Sequence, residues 1–342
     1  LSGYVKDAKT GELLIGAEVY IKELMKGQST NNYGFYSITV PEGKYTLVSQ
    51  YFGFDDFNQS IQLNRDQRIN IELGFYLDTL GEVVVESERK DQNTTGTQMG
   101  TIELDMTKIK TLPAFMGEVD ILKTIQLLPG VQSGGEGNTG FYVRGGGPDQ
   151  NLILLDEATV YNASHLFGFF SVFNADAIKK VNLIKGGMPA NYGGRLSSVL
   201  DITMNDGNYK EYHANGGIGV IASRLTVEGP IKKDTASFIV SGRRTYIDVL
   251  TKPFVNDSAS AAGSGYYFYD LTAKANWRIS DKDRLFLSGY FGRDVFTFNN
   301  DNLGLNFRVP WGNATASLRW NHLFNDRLFL NTTAIFSDYK FA

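Results

Sequence analysis

The chain has 342 residues, 33 basic and 37 acidic side chains, a net charge of −4, no cysteine, 37 glycines, 18 tyrosines and 23 phenylalanines. That length suggests two or three domains, the charge offers no basic field for nucleic acid, and the lack of cysteine excludes a disulfide scaffold or thiolate metal site. The glycine- and aromatic-rich composition suits a β protein. No apolar run approaches the ~18–20 residues of a membrane helix, which leaves a membrane barrel open because its strands carry only an alternating signal.

The start at Leu1, without Met or a charged-then-apolar leader, reads as a mature segment whose signal peptide is already gone. Residues 1–75 alternate short strands with regular turns, at Lys9-Thr10-Gly11, Asn31-Asn32-Tyr33-Gly34 and Pro41-Glu42-Gly43. Ala17 to Ile21 alternates with period two, and the whole predicts a small β-sandwich. The run GYVKDAKTGELLIGAEVYI…TNNYGFYSITVPEGKYTLVSQYFGF resembles the carboxypeptidase-regulatory-like domain. The resemblance implies a spacer or docking module and no peptidase activity.

Residues 76–96 hold one short apolar strand, Glu82-Val83-Val84-Val85, followed by a polar stretch. Read from its residues alone, this is either a linker strand or an extended segment able to add itself to a partner's sheet edge.

From about residue 97 the pattern mixes strands and helices. Gly117 to Leu128 places Ile121, Ile125 and Leu128 on one helical face, and Pro129-Gly130 ends it. Leu152 to Leu155 is a continuous apolar run, as in a strand buried on both faces. Asn174 is placed to cap a helix over Ala175 to Lys180. Two strands, Val181 to Ile184 and Val199 to Thr203, flank the glycine-rich turns Lys185-Gly186-Gly187 and Ala190 to Gly194. Arg144, between a strand and three glycines, either closes its own turn or forms ion pairs across a domain interface, and Arg195 is a second candidate for that interface. The ordered set LPGV, YVRG, LILLDEATVY, IKKVNLIKGG and NYGGRLSSVLDI, over roughly residues 112–205, closely resembles the plug domain of TonB-dependent outer-membrane receptors.

That resemblance implies that Glu82, Val83, Val84 and Val85 are the TonB box, the segment paired by TonB, which works with an inner-membrane energising complex. The interface across which Arg144 and Arg195 are candidates for ion pairs is then the one between plug and barrel. A carboxypeptidase-regulatory-like domain ahead of the plug is the arrangement of receptors from Bacteroidetes. The loop after the buried strand, with Tyr161, Asn162, His165, Phe167 and Phe169, is rich in rings and amides. It reads as a ligand contact or as packing against the barrel wall.

Residues 206–342 change period. Tyr267, Leu271, Trp277 and Ile279 alternate with Asp270, Thr272, Lys274 and Arg278, and Asn313 to Asn321 repeats the pattern with Leu318 and Trp320 opposite Arg319. About seven long strands with apolar-out, polar-in alternation are the signature of a transmembrane barrel. The turns at Ser280–Asp283 and Asn325–Asp326 are short, whereas Thr251–Gly265 and Asn299–Trp311 read as long loops. Seven strands cannot enclose a plug of ~100 residues, and plugged transporters have about 22, so the chain is expected to continue beyond residue 342.

No catalytic constellation is present. His165, His213 and His322 have no metal-ligand spacing, no Gly-x-Ser-x-Gly exists, and Gly145 to Gly147 lacks the Lys-Ser/Thr of a phosphate loop. Asp156-Glu157 reads as structural, because neighbours on a strand point to opposite faces.

The expected architecture is mainly β. It comprises a sandwich over 1–75, a TonB-box segment and linker over 76–96, an α/β plug over 97–205, and the first part of a transmembrane antiparallel barrel over 206–342. The resemblance implies a bacterial outer-membrane transporter with TonB, outer-membrane lipid and an unidentified ligand as partners, no metal and no cofactor. The alternatives are a non-transporting adhesin or secretion-associated protein on the same scaffold, an enzyme with a regulatory sandwich, and a signal-transducing receptor. Gln150 to Asp156 departs from the motif of the glycan-importing branch, which puts a glycan substrate and its accessory lipoprotein in question.

Overall fold

The computed structural model describes residues 1–75, 100–111, 118–135, 138–251, 264–300, 304–326 and 328–342. Its first seven strands are β1 (Ser2–Asp7), β2 (Glu18–Ile21), β3 (Lys26–Ser29), β4 (Phe35–Ser37), β5 (Gly43–Gln50), β6 (Phe57–Leu63) and β7 (Ile71–Leu73). They form two sheets, β4-β1-β7 and β3-β2-β5-β6. The alternation in β2 buries Val19 and Ile21, which meet Val5, Tyr36, Leu47 and Ile71 in one apolar core. Tyr36 buries its ring there because its hydroxyl donates to the Ile69 carbonyl at 2.7 Å. The Asn31 side chain accepts from the amides of Tyr33 and Phe35 and sets the turn before β4.

The next region contains β8 (Thr101–Asp105), α1 (Met106–Thr111), α2 (Ile121–Ile125), β9 (Val131–Ser133), β10 (Phe141–Val143), β11 (Asn151–Leu155), β12 (Ala158–Thr159), β13 (Ser164–His165), β14 (Phe170–Ser171), β15 (Ile178–Ile184) and β16 (Ser198–Met204). The main sheet runs β12-β11-β16-β15-β8, with β11 and β16 parallel. β11 is buried almost throughout, as its apolar run predicts, and so is β16. Two helix expectations change. The helix predicted from Gly117 to Leu128 is α2 alone. Asp120 caps it by accepting from the Lys123 amide at 3.1 Å, and its end tightens as Leu127 and Leu128 donate to carbonyls three residues back. Over Ala175 to Lys180 there is no helix. Asn174 holds a single turn, accepting from the Asp176 amide at 3.1 Å, and the chain is in β15 by Ile178, because Val181 and Leu183 pair between β8 and β16.

The last seven strands are β17 (His213–Ile218), β18 (Ala222–Lys232), β19 (Ala236–Thr245), β20 (Gly265–Arg278), β21 (Asp283–Asn300), β22 (Leu305–Asn325) and β23 (Leu328–Phe341), with α3 (Ile247–Thr251) after β19. They form one seven-stranded antiparallel meander in sequence order. β20 to β23 have 14, 18, 21 and 14 residues, beyond the ~9–11 a membrane strand needs. On β20, Tyr266, Phe268, Asp270, Thr272, Lys274 and Asn276 are all buried, whereas Leu271 and Trp277 are exposed on the other face. The predicted two-residue alternation is therefore present, with the polar face turned to the plug. The Asn299–Trp311 loop is the exception. β21 and β22 keep pairing up to Asn300 and Leu305, with Phe298 opposite Phe307, so strand covers most of it. Among the described residues no helix is long and apolar enough to cross a membrane.

Leu318 sits outward between Leu287 and Ala334 on the neighbouring strands. Leu318→Arg is expected to cost about 2–4 kcal/mol if that face meets the bilayer midplane. Denaturant titration in lipid vesicles measures it, and an unchanged midpoint contradicts a lipid-facing Leu318.

Candidate functional site

The plug and the barrel wall meet through buried charge. β13 and β14 carry His165 and Ser171 against β19, β20 and β21. His165 is 1% exposed and stacks on Phe268 with ring centres 4.1 Å apart. Its Nδ1–H donates to Asp294 at 2.8 Å and its Nε2–H to Asp270 at 2.6 Å. Burial disfavours the imidazolium, but Asp270 and Asp294 outweigh it and lift the ring to about 9. Asp270 also accepts from Tyr290 at 2.9 Å and from Arg243 Nε at 2.8 Å. Arg243 reaches on to Glu118 at 3.6 Å and donates to the Ser171 carbonyl at 2.7 Å.

A second cluster surrounds Lys274, which is 3% exposed. Its ammonium lies 3.1 Å from Asp156 and 2.9 Å from Asp206, and donates to the Met204 carbonyl at 3.0 Å. Burial pushes Asp206 up, but Lys274 and Lys179 more than reverse this and hold it at about 2. Asp156 and Glu157, with φ of 45° and 73°, are the tight turn joining β11 to β12. The adjacent acids are thus structural as expected, but they serve through the turn: Asp156 meets Lys274, and Glu157 meets Arg319 at 3.4 Å. A third contact joins Arg224 of β18 to Asp176 at 2.8 Å.

The other predicted residues fall elsewhere. Glu82, Val83, Val84 and Val85 lie outside the described residues. Arg144 and Arg195 pair with no carboxylate among the described residues. Arg144 has φ 49° and lies over Gly186, where any Cβ would come within 2.6 Å of its Nη1, and Arg195 donates to the Gly194 carbonyl at 2.9 Å. The LPGV, YVRG and KGG motifs converge there: Lys185 donates to the Pro129 carbonyl and the Arg144 amide to Gly130. On these seven strands the arginines that pair with the plug are barrel residues, Arg224, Arg243 and Arg319. Of the loop candidates, Tyr161, Phe167 and Phe169 are exposed, Phe167 at 67%. Leu166 and Phe167 have φ of 49° and 53°, unusual for such side chains, and the turn leans Phe167 on Trp311 at 5.0 Å. The Asn162 backbone exchanges hydrogen bonds with the Asn313 side chain of the wall, its own side chain accepts from Ser164, and His165 is enclosed. Sequence reading missed Asp270, Asp294, Arg243 and Lys274 as plug partners. The available signal was a charged side chain recurring on the inward face of β19 to β21.

Among the described residues no His, Asp and Glu cluster suits a metal.

The CarboxypepD_reg-like domain family matches residues 1–85, and the TonB-dependent Receptor Plug Domain family matches residues 108–198. Among solved structures, the siderophore receptor PirA from Pseudomonas aeruginosa is 16% identical over 71% of this chain and 42% of its own, with a TM-score of 0.49. The FrpB iron transporter from Neisseria meningitidis is 15% identical over 70% of this chain and 41% of its own, also at 0.49. The outer membrane transporter YddB from Escherichia coli is 17% identical over 70% of this chain and 38% of its own, at 0.47. The chain thus spans well under half the length of these proteins. It carries, in order, a CarboxypepD_reg-like domain and the plug domain of the TonB-dependent receptor family.

Proposed function

We propose that these residues belong to an outer-membrane receptor that takes up, at TonB's expense of energy, a substrate too large or too scarce for porins, with the plug gating the barrel. The observation that carries this reading is the plug's seat: it is held to the polar face of an antiparallel meander whose other face is apolar. The short connections 233–235 and 279–282 and the turn at Asp326 lie at the end where the sandwich sits, and short turns face the periplasm in such barrels. The sandwich is then periplasmic, and Tyr161, Phe167 and Phe169 lie toward the outer face as ligand contacts. We assign no reaction, since both His165 ring nitrogens are engaged by carboxylates.

TonB would pair with the backbone of Val83 to Val85, so main-chain disruption matters more than side-chain loss. Val84→Pro, in the full-length receptor, is expected to abolish energised uptake and leave surface binding intact, while Val84→Ala is mild. Uptake by Val84→Pro at the wild-type rate refutes this box, whereas a wild-type receptor with no energised uptake favours a non-transporting protein. In the same binding assay, a Tyr161→Ala/Phe167→Ala/Phe169→Ala variant should bind more weakly, and unchanged binding assigns those rings to wall packing.

A further inference from the structure

The N-terminal sandwich does not hang free. It grips the plug and the barrel at once. Glu12, in the turn after β1, lies 2.9 Å from Lys179 of β15 and accepts from the Asp206 amide at 2.6 Å. Lys179 also donates to the Leu13 carbonyl and lies 3.6 Å from Asp206. Asp206 is the partner of Lys274. One chain of charges, Glu12, Lys179, Asp206, Lys274 and Asp156, therefore runs from the sandwich through the plug to the barrel wall. Tyr33 adds a second tie, donating to Glu157 at 2.8 Å beneath the Arg319 guanidinium.

On the barrel side the sandwich holds the turn between β22 and β23. Asp326 accepts from Ser2 at 2.9 Å and pairs with Arg68 at 3.2 Å, and its carbonyl accepts from Ser37 at 2.8 Å. Tyr4, Leu13 and Phe35 share an apolar cluster with Leu323 and Phe329 of the barrel, Phe35 stacking on Phe329 at 5.4 Å. The Arg284 guanidinium lies 4.1 Å over the Tyr4 ring.

The geometry points to an autoinhibitory clasp: the docked sandwich holds the plug in its seat through Glu12–Lys179 and Tyr33–Glu157, and must let go of the barrel before the plug can move. Lys179 serves both Glu12 and Asp206, so a plug shift that parts it from one disturbs the other, and the linkage is reciprocal. Residues 74–100 join β7 to β8, so a pull on Val83 to Val85 loads the sandwich as well as the plug. This inference rests on the transport reading only for its second test.

The first test is hydrogen exchange on the full-length receptor in lipid vesicles, with no ligand and no TonB. Glu12→Gln/Tyr33→Phe is expected to speed exchange of the β15 and β16 amides about tenfold and leave β20 and β21 unchanged. Unchanged plug exchange overturns the clasp. The second closes a Ser2→Cys/Asp326→Cys pair by mild oxidation in cells. Uptake should fall to background and return on reduction, whereas uptake through the closed bridge overturns the clasp. A wild-type receptor with no energised uptake removes the transport reading instead, and the exchange result then decides the clasp by itself.

Discussion

Lys274→Met is expected to loosen the plug from the barrel by about 3–5 kcal/mol, the usual cost of removing one partner from a buried ion cluster. Lys274 is the only cation within ion-pair distance of Asp156 among the described residues, and it shares Asp206 with Lys179. Methionine fills a similar volume, so the loss is that of charge and of the hydrogen bond to Met204 rather than of packing. Asp156 would be left without a cation, and Asp206 with Lys179 alone, in a buried site. The measurement is the denaturant midpoint of the full-length receptor, followed alongside proteolysis of the plug. Adding Asp156→Asn removes the stranded charge and should recover more than half of the loss. A shift under about 1 kcal/mol in the single variant would mean that water reaches the cluster and solvates it.

The second expected result concerns pH. His165 titrates at about 9 in the folded protein, above the ~6.5 of an unperturbed imidazole. Its stabilisation is therefore complete below about 6.5 and is lost as pH rises through about 9. The groups that face it are Asp270, Asp294 and, through them, Arg243, Tyr290 and Tyr266, so a neutral imidazole leaves Asp294 with neutral partners alone. His165→Phe keeps the ring stack on Phe268 and removes the charge. At pH 7 it should cost about 3 kcal/mol of plug docking. Above pH 9 the gap to the wild type should shrink, because the wild-type ring has then lost its proton as well. A gap that stays constant from pH 6 to pH 10 would show that His165 acts by shape. Comparing the two proteins at each pH cancels the tyrosines and lysines common to both.

Much of this molecule is written locally. Period-two alternation on residues 267–279 and 313–321 fixes which face of a strand is apolar, and it needs no partner to be read, since the pleat alone sends successive side chains to opposite sides. The short strands and the Asn-Asn-Tyr-Gly and Pro-Glu-Gly turns of the first 75 residues give the sandwich for the same reason. The glycine motifs of the plug were legible as turns, and they turn out to pack against one another at Lys185, Pro129 and Arg144.

What the chain order does not carry is the pairing of charges far apart in sequence. His165 meets Asp270 and Asp294, separated from it by 105 and 129 residues, and nothing near His165 marks it as enclosed rather than open to ligand. Arg144 looked like an interface arginine from its neighbours, yet its left-handed backbone turns it over Gly186. The helix expected over Ala175 to Lys180 had a good cap at Asn174, but β16 pairs with the chain from Ile178 and β8 with Lys180 to Ile184, and tertiary pairing outweighed a weak local preference. The sequence by itself determined the faces, the turns and the order of domains, because those depend on neighbours along the chain. Only the tertiary structure decided which charge meets which, because a buried ion pair exists only where two elements have already excluded water together.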